Sequence, residues 1–462
     1  MSGVTATQST PSFLRLLARV VGERHVITDP DVTASSAIDW TGRFRGRTPA
    51  VVRPGDVGET AAVVACCAEH GVALVTQGGN TGLVGGGVPL YGEIVLSTTR
   101  LGAIVDADVS AGQLTAGAGS TIGAVRSTAA DMGWSYGVDL ASRDSATVGG
   151  TVATNAGGLH VLRHGDTRSQ VVGVEAVTGT GTVVSHLGGL LKDNTGYSLA
   201  SLLCGSEGTL AVVTAARLRL VPVASARVTA LIAFDAVAPA VAATSTLRRV
   251  LPSLDAAELI VGRSLDLVCS VSGRPAPFGD RRGAYLLVEA AGADDPTDPL
   301  SDAVASLEGV VEAAVAVDPL RRSELWAYRE DLPAAVNSLG APHKLDVTLP
   351  PGALAGFVEE ASAIVASAST GAETWLWGHV GDGNIHVNIT NVDPDDDRPD
   401  DAVLRAVADL GGSISAEHGI GTAKRRWLHL NRTEEELAVF RAIKRALDPA
   451  GILNPHVLFP EV

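Results

Sequence analysis

The sequence predicts mixed helix and strand divided among two or three domains, and three observations point there. The chain has 462 residues, too many for one compact hydrophobic core. From Ala50 it alternates strand, helix and strand before a glycine-rich loop. Near the C-terminal third, two apolar strand-like runs flank the turn Gly381-Asp-Gly-Asn384, which reads as a hairpin. Hydrophobic residues make up 46% and charged residues 19%, the balance of a folded globular chain. The formal net charge of −16 argues against nucleic acid or an acidic membrane surface as partner.

Residues 1–45 read as a helical lead-in and a polar connector. Thr10 to Val20 is short and carries Arg15 and Arg19, so no signal peptide is expected. Ala50–Pro54 then reads as strand, Val57–Ala73 as helix and Ala73–Thr76 as strand, running into the loop Gln77–Gly87. Glycine and asparagine there allow positive φ and close backbone approach to a ligand, and freed N–H groups suit phosphate. No Gly-Lys-Ser/Thr follows, which excludes a Walker A element, and no G-x-G-x-x-G occurs to mark a Rossmann site. A second small-residue stretch, Ala141–Leu159, lacks bulky side chains from Ser142 to Gly158, and a third turn, Cys204–Leu210, leads into a strand Ala211–Thr214.

Beyond Pro222 the composition shifts to Ala/Val-rich patterns. The most apolar stretch, Val228–Val250, is broken by Asp235 and Pro239 and reads as strand then helix; no stretch reaches the ~20 apolar residues of a membrane span. Cys66, Cys67, Cys204 and Cys269 form neither a disulfide framework nor a metal pair; Cys66 and Cys67 read as buried thiols, and a reducing, cytoplasmic setting is expected. The acidic run Asp393–Asp401 reads as a solvated loop, its prolines and spacing being wrong for calcium.

The hairpin carries the chemistry. Strands at Thr374–Val380 and Ile385–Ile389 would bring His379 and His386 together across the turn, and Glu417 lies thirty-one residues further on, in Ser415-Ala-Glu-His-Gly-Ile-Gly421. Two imidazoles, one carboxylate and an open position suit a catalytic divalent metal. Single histidines usually have ordinary structural roles; two across a Gly-Asp-Gly-Asn turn, with a glycine-flanked Glu-His nearby, favour a site.

The runs Gly78–Gly82, Thr147–Gly158, Lys192–Tyr197 and Gly205–Leu210 resemble the FAD-binding domain of the vanillyl-alcohol-oxidase (PCMH) type. His379 to His386, Glu417-His-Gly419 and Asp448–Pro455 resemble its D-2-hydroxyacid dehydrogenase branch, which includes D-2-hydroxyglutarate dehydrogenase, D-lactate dehydrogenase and the glycolate oxidase flavin subunit. The likeness covers roughly residues 45–460. It implies an α+β protein: an FAD domain of two α+β subdomains at 46–223, a substrate cap with an antiparallel sheet at 224–415, and a segment 416–462 returning to the FAD domain. FAD is then expected on Gly78, Gly79, Asn80, Thr81, Gly82, Gly86, Ser142, Thr147, Gly149, Gly150, Asn155, Gly158, Glu207, Gly208 and Asn454. Attachment should be non-covalent, because Gly78–Gly82 holds no His or Cys, and His160 and His164 follow the second loop where the family has ordinary polar residues. Near the end, Asn454-Pro-His456 departs from the commoner Asn-Pro-Gly, with Asn454 still expected to reach the flavin edge.

The activity implied is FAD- and metal-dependent oxidation of a D-2-hydroxy acid, D-2-hydroxyglutarate ranked before D-lactate. A glycolate oxidase flavin subunit is the alternative, and a metal-dependent hydrolase the alternative of another class. Flavin takes the hydride, and the protein must grip the carboxylate, acidify the hydroxyl and accept its proton. Metal on His379, His386 and Glu417 (zinc first; manganese, cobalt or iron also fitting) acidifies the hydroxyl. His418 is the base, against a reading in which it only orients Glu417. Arg329 and Lys344, fifteen residues apart as in the hydroxyglutarate branch, hold carboxylates; Lys344, Asp346 and Thr348 share a strand face, and Asn388 shares one with His386. Pro333 stands where that branch often has a hydroxyl, so one substrate contact is lost or replaced. No iron–sulfur cysteine pattern occurs; the electron acceptor is expected to be an electron-transfer flavoprotein, a quinone or a cytochrome, and the oligomeric state is open, a homodimer included.

Overall fold

A computed structural model describes residues 11–459. The chain divides into two compact units: the first takes the residues up to Gly158, His164–Pro222 and those from Glu417 onward, the second Leu159–Arg163 and Val223–Ala416.

The first unit holds two principal sheets. In one, Val26–Ile27, Val51–Val52, Ile94–Ser97 and Leu74–Gln77 lie side by side in that order, parallel except for the first pair. The helix Val57–His70 joins two of these strands; Asp56 caps it by accepting the Glu59 N–H, and its buried Val63, Val64 and Cys67 face a core with Leu74, Ile94 and Leu453. The second sheet is antiparallel, ordered Ile104–Asp108, Gln113–Gly117, Ala211–Arg219, Val171–Thr178, Val183–His186. Its core takes in Ile122 and Val125 from the helix Ile122–Asp131, with Ile443 and Leu447 of the helix Glu434–Leu447 packed against it. Cys67 is buried but Cys66 is partly exposed, which corrects the reading of both as buried.

The second unit is built on a seven-stranded sheet, antiparallel at every pairing. Its order is Val310–Ala316, Ala226–Phe234, Ala284–Gly292, Leu254–Val261, Glu373–Gly378, Asn384–Thr390, His343–Thr348. On one face Ile260, Leu287, Trp375 and Trp377 pack with Trp326, Tyr328, Leu332 and Val336 from the helices Pro319–Glu330 and Leu332–Asn337. The expected hairpin is present, with Trp377 opposite His386, but its first strand stops at Gly378, so His379 belongs to the turn. Gly383 closes that turn at φ 86, a conformation a side chain would strain. The acidic run differs from expectation. A helix begins at Arg398, and Asp400 is buried because its carboxylate meets His343 Nδ1 at 2.9 Å. No described helix is long and apolar enough to cross a membrane.

Candidate functional site

In the first unit the glycine loops converge by backbone approach. A Cβ on Gly78 would stand 2.1 Å from Thr147 Oγ1, and one on Gly79 1.8 Å from the Ser145 carbonyl oxygen, so glycine is required where the first and second loops touch. The second stretch is not all loop as expected: Val148–Thr154 is a short helix. Thr147 caps it by accepting the Gly150 N–H, and Val148 and Val152 are buried in the core, which gives the helix a reason to form. Gly149 abuts Ala118, and a Cβ there would lie 2.7 Å from that methyl.

Strain gathers on the same residues. Among the described residues six non-glycines have positive φ, and four of them are Asn80, Asn155, Glu207 and Asn454. Such conformations persist where surroundings over-determine them, commonly around ligands. Asn155 donates to Asp166 Oδ2 at 2.6 Å, and Asn80 donates to the Ile38 carbonyl at 2.7 Å. Buried Glu207 accepts from Ile420 N at 2.8 Å and Gly421 N at 2.6 Å; desolvation raises its pKa against those two bonds and the Lys424 charge. Asn454 is the residue expected to reach the flavin edge. Its amide donates to the carbonyls of Gly86 and Glu207 and accepts from Thr76 N, so it ties the first and third loops together. Thr81, Gly82, Ser142, Gly158 and Gly208 fall in these same three loops. Glu417 Oε2 accepts from Gly158 N at 3.0 Å, and its Oε1 lies 3.9 Å from His418 Nε2.

In the second unit one face of three adjoining strands collects the expected polar groups. Lys344 lies opposite Asn388, and Asp346 opposite His386. Asn388 and His386 in turn face Trp375 and Trp377. Residues opposite one another point the same way, so register alone places Lys344, Asn388, His386 and Asp346 together. Asn388 is 2% exposed, and its Nδ2 has no hydrogen-bond partner among the described residues. An orphaned buried amide is costly unless a ligand satisfies it. Burial lowers the Lys344 ammonium to about 8.

The His379 and His386 rings stand edge to face with centroids 5.2 Å apart. His386 Nδ1 is 3.4 Å from Asp346 Oδ1; burial lowers this imidazole to about 4 despite the Asp346 carboxylate. Asp346 also accepts from Asn384 Nδ2 at 2.7 Å and from Ala416 N at 3.1 Å. Glu417 follows Ala416 directly in the chain. His379 Nδ1 meets Glu258 Oε1 at 2.6 Å, and Arg329 Nε donates to Glu258 Oε2 at 2.6 Å. Arg329, expected to hold a substrate carboxylate, is buried beside a counter-ion, and this is its one hydrogen bond among the described residues. Desolvation would raise the Glu258 carboxyl, but the charges and hydrogen bonds of His379 and Arg329 hold it down to about 2.

Glu258 and Asp346 are the residues sequence reasoning passed over. For Glu258 the available signal was a carboxylate inside the apolar strand Leu254-Asp-Ala-Ala-Glu-Leu-Ile-Val261. Of the two histidines after the second loop, His160 pairs with Asp255 in the second unit at 3.2 Å, and His164 offers its carbonyl to Gln170 in the first.

Residues 48–186 match the family described as FAD binding domain, and residues 223–458 match FAD linked oxidases, C-terminal domain. A D-2-hydroxyglutarate dehydrogenase from Xanthomonas citri pv. viticola is 35% identical over 460 residues, covering 96% of each chain. The D-2-hydroxyglutarate–pyruvate transhydrogenase of Saccharomyces cerevisiae is 34% identical over 92% of this chain and 90% of its own. Among solved structures, 4-ethylphenol oxidase from Gulosibacter chungangensis superposes with a TM-score of 0.77 at 18% identity, covering 99% of this chain and 98% of that one. p-Cresol methylhydroxylase superposes with a TM-score of 0.73 at 15% identity, covering 96% of each. At such identities the likeness shows the fold alone, a PCMH-type flavoprotein fold.

Proposed function

The chain belongs to the FAD-linked oxidases, as an FAD-dependent oxidoreductase acting on a CH–OH group, and we propose that it oxidises D-2-hydroxyglutarate in preference to D-lactate. The observation that carries the choice of substrate is the polar face of the second unit. It offers two cations, Lys344 opposite the orphaned Asn388 amide and Arg329 held on Glu258, which suits an acid with two carboxylates. D-lactate, with one carboxylate, would engage only one of the two cations.

The first unit fits FAD. Its three loops approach through glycine, several of its glycines, Gly78, Gly79 and Gly158 among them, tolerate no Cβ, and its strained asparagines and Glu207 are locked by hydrogen bonds to backbone and neighbouring side chains. FAD, when bound there non-covalently, supplies the acceptor for the α-carbon hydride. The histidine pair fits a divalent metal. The Glu258 carboxylate can only accept, so it holds a proton of His379 on Nδ1 and orients the ring, as carboxylates behind metal-ligating histidines do. Metal on His379, His386 and Glu417, zinc first, would supply Lewis-acid polarisation of the substrate hydroxyl. Glu417 is carried into this set by the family resemblance and by its place next to Ala416, which is anchored on Asp346.

The chain's own residues do the rest. Arg329 turns its guanidinium end to one carboxylate while Nε stays on Glu258. Lys344 neutralises the second carboxylate, and Asn388 donates its unused N–H to a substrate oxygen. His418 receives the hydroxyl proton as the α-carbon is oxidised. Buried Trp375 and Trp377 on the same face keep water away from the charged groups. The test is an anaerobic stopped-flow screen of D- and L-2-hydroxy acids that follows flavin bleaching and so needs no electron acceptor. Fast bleaching by D-2-hydroxyglutarate, slower by D-lactate and none by the L-acids is expected; equal bleaching by D- and L-acids sinks the proposal.

A further inference from the structure

Glu258 sits on the polar face and touches both a proposed metal ligand, His379, and a proposed carboxylate-binding residue, Arg329. It lies on the strand Leu254–Val261 and is 0% exposed. Its two oxygens serve different elements: Oε1 meets Nδ1 of His379 in the hairpin turn at 2.6 Å, and Oε2 meets Nε of Arg329 on the helix Pro319–Glu330 at 2.6 Å. Ile260 pairs with Trp377, so Glu258, two residues earlier, rises from the sheet face that carries His386 and Asn388.

A buried ion triad of this kind contributes little to stability, since apolar replacements of such groups are often neutral or stabilising. The atoms used point elsewhere. An arginine–carboxylate pair formed for its own strength takes two parallel N–H···O bonds. Here Arg329 gives Glu258 a single bond from Nε, and its two terminal nitrogens make none among the described residues. His379 gives Nδ1, which places the lone pair on Nε2. Each partner meets Glu258 through its inner atom, and the terminal nitrogens of Arg329 are left for whatever binds.

We propose that Glu258 is a positioning residue shared by the metal histidine and the substrate arginine, fixing the tautomer of one and the rotamer of the other, so that metal and carboxylate recognition depend on one carboxylate. This rests on the proposed roles of His379 and Arg329. Glutamine in its place has nearly the same size, but its carbonyl can accept from only one partner. The amide hydrogens then oppose either the Arg329 N–H or the Nδ1–H of His379, and in the second case the imidazole must move its proton to Nε2.

The experiment uses the full-length FAD-loaded protein after chelation. Zinc affinity is measured by competition with a chromophoric chelator, and 2-oxoglutarate affinity of zinc-free protein by calorimetry. Glu258→Gln should weaken zinc by about 10- to 100-fold, the usual effect of removing a carboxylate behind a metal histidine. It should also weaken 2-oxoglutarate by about tenfold, with no further loss when added to Arg329→Ala, because the two act as one unit. Glu258→Asp, one methylene short, should show the same pair of losses if the glutamine variant does not fold. Nitrogen-15 histidine spectra of the zinc-free wild type, assigned with His379→Gln, should show His379 protonated on Nδ1. The inference is overturned if the wild type binds zinc and Arg329→Ala weakens 2-oxoglutarate while both Glu258 variants match the wild type, or if His379 carries its proton on Nε2. A wild type that binds no zinc, with Arg329→Ala also without effect, overturns the proposed function and this inference with it.

Discussion

The proposed cofactor cradle of the first unit and the polar face of the second are made in opposite ways. The cradle is backbone. Its side chains are absent, as at Gly78 and Gly79, or turned onto main chain, as in Asn454 with Gly86 and Glu207, or Glu207 with Ile420 and Gly421. The face is side chain. Lys344, Asn388, His386 and Arg329 are set by strand register and a helix, and the acids Glu258 and Asp346 hold the histidines from inside the fold. A site of backbone shape should fail when a methyl is added. A site of paired charges should fail when one charge is lost.

The largest effect is expected in Glu417–Gly421, whose backbone is held by Glu207 and whose side chains are proposed to carry chemistry. His418→Asn keeps a polar group of similar size without the titrating nitrogen. Flavin reduction measured anaerobically should slow by roughly a hundredfold or more, with FAD and metal content unchanged. Loss of metal with an unaltered rate per metal would make His418 structural.

The converging loops were legible because backbone approach leaves a local trace: small residues clustered in three runs. The hairpin was legible for the same reason, through Gly381-Asp-Gly-Asn384 between apolar strands. The inner carboxylates left no such trace. Glu258 is 121 residues from His379 and 71 from Arg329, and it meets them only through the pairing of the 254–261 and 373–378 strands and the packing of the helix Pro319–Glu330 on that sheet. The short helix Val148–Thr154 was hidden by its own composition, since Val-Gly-Gly-Thr is poor helix material held by a threonine cap and core packing.

A sharper contrast comes from pairing two substitutions. Arg329→Ala should lower kcat/KM about thirtyfold, the equivalent of about 2 kcal/mol for a charge-assisted bond, and leave FAD occupancy intact. Gly79→Ala should do the reverse. The added methyl meets the Ser145 carbonyl, and overpacking of roughly 1–3 kcal/mol should weaken FAD about tenfold or more in a protein whose remaining holoenzyme keeps a normal KM. If Arg329→Ala also strips flavin, the two regions are not separable as described.

A smaller effect belongs to Lys344. With its ammonium lowered to about 8 by burial, it is charged below that pH and neutral above. The kcat/KM for a dicarboxylate should therefore fall as pH rises through about 8, while kcat, measured on enzyme whose lysine is already paired, should change less. Lys344→Arg should remove that alkaline limb. An unchanged limb in the arginine variant would assign it to another group.

The division between a backbone cradle and a charged face is tested most directly by chelation of the purified protein, followed in one cuvette. The account predicts that metal-depleted protein keeps its full flavin absorbance but no longer bleaches with D-2-hydroxyglutarate without oxygen, and that zinc or manganese restores the reaction. Rapid bleaching by metal-free protein, or release of flavin on chelation, would contradict it.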